Sequence, residues 1–154
     1  MINLENTFAN PDAITNAGYE APQRFLILGL GESGVAMAKW CLRNGASVRL
    51  VDTRDQSKFT DKQNAWLDEL KFAGLSDIQF GPLIDELLVD IDVIGISPGL
   101  SPLQEPTESF LVKARKSRVD VWSEIEFFAR AIAALSRMAQ SQESSYDTAV
   151  LAIT

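Results

Sequence analysis

A chain of 154 residues holds one domain, or one domain and the start of another. Its formal net charge of −7 and pI near 4.6 argue against nucleic acid as a partner, because neutralising phosphate needs clustered Lys and Arg. With no histidine and a single cysteine, Cys41, it has no His-based catalysis, no His metal site, no internal disulfide and no CxxC site.

Residues 1–22 are mostly polar, carry Pro11 and Pro22 and keep no sustained period, so they read as a flexible N-terminal arm. The start Met1-Ile-Asn-Leu-Glu-Asn-Thr is no signal peptide, and no apolar run nears the roughly 18 residues of a membrane span. The expected compartment is the cytoplasm, with no membrane partner.

Residues 24–29 are the first predicted strand, ending in Gly29-Leu-Gly31-Glu-Ser-Gly34, the spacing G-x-G-x-x-G. A helix from Ser33 to about Asn44 follows, stopped by Asn44-Gly45. Cys41 falls inside it among apolar residues and reads as core. Residues 47–52 are a second strand ending in Asp52, 23 residues after Gly29. Thr60 and Gln63 form a capping box for a helix over 61–73, ended by Gly74. A short strand at 78–80, a short helix over 82–88 and a buried strand at 92–97 come next. Another helix is predicted from Thr107 to about Ser117, and a short strand over 119–122. Ser123 and Glu126 form a second capping box, opening a helix with Ile125, Phe128, Ile132 and Leu135 at helical spacing. Met138 to Thr148 reads as a polar linker, before the apolar run Ala149-Val-Leu-Ala-Ile153-Thr154. Trp40, Trp66, Trp122 and the phenylalanines read as core.

Strands alternating with helices predict an α/β fold, a Rossmann-like doubly wound, mainly parallel sheet with ligands at the carboxyl ends of its strands. The loops after the first, second and fourth strands all meet that edge. Backbone N–H groups of Glu32, Ser33 and Gly34, beyond Gly31, sit where a pyrophosphate would lie, at the positive end of a helix dipole. Ser33 serves there as phosphate donor, as helix N-cap, or as both. The Glu32 carboxylate must turn to solvent, since it would repel a phosphate. Asp52 either grips ribose hydroxyls or caps the turn that follows it. Thr53 can bond a base edge, and Arg54 can pair with phosphate. Ser97-Pro98-Gly99 is either a close-passage loop for the ligand or a plain β-turn. Glu124 and Glu126 do not face each other and read as first-turn charge balancing a helix dipole. The ligand class so implied is a nucleotide diphosphate. An NAD-binding domain of an oxidoreductase and a stand-alone nucleotide-binding regulatory domain remain open on these residues.

Five short motifs, in order, resemble those of the Mur ligases: Gly29-Leu-Gly-Glu-Ser-Gly34, Asp52-Thr-Arg54, Ser97-Pro-Gly99, Ser123-Glu-Ile-Glu126 and Val150-Leu-Ala-Ile-Thr154. The resemblance covers residue 24 to the end. It implies a Rossmann-like domain over 23–121 that binds the UDP of a UDP-N-acetylmuramoyl-L-alanine substrate in peptidoglycan synthesis. Residues 122–154 would then be the first helix, linker and strand of a central ATPase domain. The implied contacts run through Glu32 and Ser33, through Asp52, Thr53 and Arg54 on the uridine side, and through Gly99 along the substrate. In the family, ATP and Mg²⁺ convert the substrate carboxylate to an acyl phosphate that an amino acid, here D-glutamate, attacks. The family's last strand leads into a G-T-N-G-K-[S/T] phosphate loop, whereas this sequence ends at Thr154. The expectation is therefore a portion without catalytic residues, bound cofactor or activity of its own. The unpaired terminal strand offers a route to self-association.

Overall fold

The structure, a computed structural model, describes residues 23–141. The N-terminal arm, the run Ala149 to Ile153 and the polar stretch from residue 142 onward lie outside the described residues. Among the described residues, five strands form one parallel sheet, ordered β3-β2-β1-β4-β5. In chain order they are β1 (Arg24–Leu28), β2 (Ser47–Asp52), β3 (Asp77–Phe80), β4 (Val93–Ile96) and β5 (Asp120–Ser123). The helices are α1 (Glu32–Arg43), α2 (Asp61–Phe72), α3 (Thr107–Lys116) and α4 (Glu124–Ser141), with short helical turns at Gln56–Lys58 and Asp85–Leu88. The doubly wound parallel sheet is as the alternation of strands and helices predicts.

Central β1 explains the layering. Its side chains alternate, and Phe25, Leu26, Ile27 and Leu28 are all fully buried, as a strand covered on both faces requires. Phe25 and Ile27 join Ala38 and Cys41 of α1, Leu67 and Leu70 of α2, and Phe127 of α4. Leu26 and Leu28 join Phe110, Leu111 and Ala114 of α3 on the opposite face. Cys41 is core, and burial pushes its thiol well above the ordinary range.

Local signals set most boundaries. Thr60 and Gln63 make the full capping box on α2, and α1 ends at Asn44 with Gly45 at φ +75°. Other expectations need correction. α1 starts at Glu32 with Gly31 as N-cap, so Ser33 is not the cap. Only half of the second capping box is present: the Glu126 N–H donates to Ser123 Oγ at 3.3 Å, while the Glu126 carboxylate pairs with Arg130. The helix expected over 82–88 is a single turn. α4 continues through Met138 to Ser141 instead of yielding to a linker, because Met, Ala and Gln are good helix formers and neither Gly nor Pro interrupts them. Among its described side chains Phe127 is buried, 5% exposed, whereas Ile125 and Phe128 are 77% and 53% exposed. Phe72 is exposed as well.

Phe127 owes its seat to Gly95 of β4, where a Cβ would lie 3.1 Å from the Phe127 ring and 2.6 Å from Ile27. In that space its ring centroid stands 5.2 Å from Trp122, 5.7 Å from Phe25 and 5.6 Å from Trp40.

Candidate functional site

The sheet order turns outward in both directions from the β1–β4 pair, so a crevice opens there at the carboxyl ends. β1 delivers the glycine loop to it. Gly29 takes φ +96° and its N–H donates to the Val51 carbonyl at 2.8 Å, which turns the chain toward α1. A Cβ on Gly34 would lie 1.9 Å from the Gly29 carbonyl oxygen, so only glycine lets α1 start this close to the strand. Among the described residues no side chain caps α1, which leaves its first amides available to an anion.

From the neighbouring strand comes Asp52, buried to 2% exposure. Its Oδ2 accepts the Leu30 N–H at 2.7 Å, and its Oδ1 accepts the Arg54 N–H at 2.9 Å. Arg54 adds a two-pronged pair, Nε to Oδ1 at 2.8 Å and Nη2 to Oδ2 at 2.7 Å. Burial alone would raise the Asp52 carboxyl, but the Arg54 hydrogen bonds, the Leu30 N–H and the Arg54 charge outweigh it and hold the group below its ordinary value. Asp52 thus caps its own turn and pins the glycine loop, with its carboxylate oxygens already engaged.

Gln63 completes the clamp. Its amide nitrogen donates to the Leu30 carbonyl at 3.2 Å, and Arg54 Nη2 reaches the same oxygen at 3.3 Å. Both ends of the Leu30 peptide are held, which sets the direction of Gly31 behind it. Spacing marks Gln63 only as a capping residue; its second bond comes from the packing of α2 beside the loop.

After β4, Ser97-Pro98-Gly99 makes a β-turn, closed by the Leu100 N–H to the Ser97 carbonyl at 2.9 Å. These pieces enclose a cavity of about 410 Å³ whose lining includes Gly31, Asp52, Thr53, Arg54, Ser97 and Gly99, together with Gln63. Glu32, Ser33, Gly34 and Pro98 stand outside that lining. Glu32 reaches Lys62 at 2.6 Å, which with hydrogen bonding lowers its pKa. The Ser33 hydroxyl donates to Glu124 Oε2 at 2.6 Å, a contact that spacing does not reveal. A second cavity, of about 370 Å³, opens at the opposite sheet edge. Its Arg24 and Arg49 are paired with Asp90 and Asp77 at 3.0 and 2.6 Å, so it offers no free charge to an anion.

Residues 23–123 match the family described as Mur ligase MurD-like, N-terminal domain. The chain belongs to that family. The MurD-like chain is 46% identical over 129 residues to the UDP-N-acetylmuramoylalanine–D-glutamate ligase of Cupriavidus pinatubonensis. It is 45% identical over 129 residues to the ligase of that name from Ralstonia nicotianae, and 42% over 130 residues to that from Burkholderia vietnamiensis. Each alignment covers 84% of this chain and 24% of the relative, so the MurD-like chain spans about a quarter of the length of the curated relatives it matches. Among the described residues no helix is long and apolar enough to cross a membrane.

Proposed function

We propose that this chain is the nucleotide-holding portion of a D-glutamate-adding ligase of peptidoglycan synthesis, and that it binds the uridine diphosphate of UDP-N-acetylmuramoyl-L-alanine at the β1–β4 crevice. The observation that supports it is one cavity of about 410 Å³ shared by Gly31, at the uncapped start of α1, and Asp52, Thr53 and Arg54. The amides of Glu32, Ser33 and Gly34 receive the diphosphate. Thr53 and Arg54 meet the uridine side, with Asp52 fixing Arg54 and the glycine loop behind them. The Ser97-Pro98-Gly99 turn lies along the remainder of the ligand.

In this reading residues 23–121 are the nucleotide domain, and 122–154 begin the domain that follows. The exposed pair Ile125 and Phe128 supports it as an apolar face awaiting that domain. D-Glutamate, ATP and Mg²⁺ belong to the longer ligase. The 154-residue sequence has no G-x-x-x-x-G-K-[S/T] run, and among the described residues no group of three or more His, Cys, Asp or Glu could hold a metal. Substrate holding is the role this reading assigns to residues 23–121. The cytoplasm is the compartment the reading implies.

Calorimetry of the chain with UDP tests it. Binding should register at or below millimolar ligand. Arg54→Ala should weaken it by roughly tenfold or more, the scale of a lost charged hydrogen bond. Silence at millimolar UDP from a folded protein overturns the reading.

A further inference from the structure

Ser33 stands in the first turn of α1, where partial positive charge gathers and an external phosphate would be drawn. Its hydroxyl is already engaged by an anion of the protein itself, Glu124, across 91 residues of chain. Glu124 is the first residue of α4, which leaves β5 at the same sheet edge as the glycine loop. Its counterpart Glu32 is drawn aside by Lys62. Among the described residues Glu124 makes no such ion pair. A carboxylate with no ion pair among the described residues therefore lies one hydrogen bond from the Ser33 hydroxyl, in the first turn of α1.

We propose that Glu124 is an internal competitor for the anion position at the start of α1, setting the affinity for phosphate-bearing ligands and withdrawing from Ser33 when a nucleotide diphosphate binds. This rests on the nucleotide reading given above. Like charges at close range repel, so ligand phosphate and the Glu124 carboxylate do not share the first turn of α1 without cost. Withdrawal frees the Ser33 hydroxyl to donate to phosphate. It also releases a tie between the glycine loop and α4, so occupancy of the crevice is transmitted to the helix leading out of the domain.

The test is calorimetry of the 154-residue chain with uridine, UMP and UDP, for the unaltered protein, Glu124→Gln and Glu124→Ala. Glutamine keeps an acceptor for Ser33 and removes only the charge. Glu124 is exposed, so both variants should fold, which thermal melting verifies. The expected result is UDP binding roughly three- to tenfold tighter in both variants, tenfold being about 1.4 kcal/mol, with a smaller gain for UMP and none for uridine. Equal or weaker UDP binding in the variants, or one uniform change for all three ligands, reduces Glu124 to a structural prop and overturns the proposal alone. Absence of UDP binding in the unaltered protein overturns the nucleotide reading, and this proposal with it.

Discussion

The Asp52 carboxylate accepts one hydrogen bond from Leu30 and three from Arg54, and that saturation decides its contribution. Its pKa is depressed in the folded chain, so its stabilisation is present above the unfolded value of about 3.9 and is lost as pH falls through the folded value. The unfolding free energy of Asp52→Asn from denaturant titration should be lower by about 1–3 kcal/mol at neutral pH, since the Leu30 N–H and Arg54 lose their charged partner. Between pH 5 and the acid end the gap to the unaltered protein should close; a gap that stays constant would show that the charge is not what stabilises the loop. Spacing from Gly29 marks Asp52 as the acid at the strand tip, and its i to i+2 bond to Arg54 is legible because Asp commonly closes such turns. The bond to Leu30 is not legible, because it joins backbone and side chain 22 residues apart through the β1–β2 pairing. Gln63 and Glu124 escape for the same reason.

At the scale of elements, α4 shows where periodicity misleads. Ile125, Phe128 and Ile132 recur at helical spacing and mark an apolar stripe, yet the sheet takes Phe127 from the neighbouring face. A single helix can carry apolar residues on more than one side, and the pattern does not say which side meets the domain's own sheet. The vacancy left by Gly95 and the aromatic neighbours Phe25, Trp40 and Trp122 settle it. Phe127→Ala should therefore cost about 3–5 kcal/mol in chemical denaturation. Phe128→Ala, at a half-exposed position, should stay within about 0.5 kcal/mol. The reverse order would mean that α4 is rotated from the orientation described. The capping box of α2 and the Asn44-Gly45 stop of α1 were legible because their signals lie within three or four residues of the bonds they make.

Across the whole molecule, two apolar layers share one sheet, with β1 contributing alternate side chains to each. Neither layer can open without exposing that strand, so residues 23–141 should unfold as one cooperative unit. Trp40, Trp66 and Trp122 all belong to one layer, whereas far-UV dichroism reports helices on both. The two signals should give coincident urea transitions; separated midpoints would show that the layers melt independently. By itself the order of residues determined the strand and helix alternation, the glycine turn, the acid at the second strand's tip and the family motifs. These depend on near neighbours and on a one-dimensional period. Only the tertiary structure decided which face of α4 is buried, that Asp52 is saturated by Leu30 and Arg54, and that Ser33 already holds Glu124. Each of those depends on groups far apart in the chain, brought together by the parallel register of the sheet, and no local pattern encodes that distance.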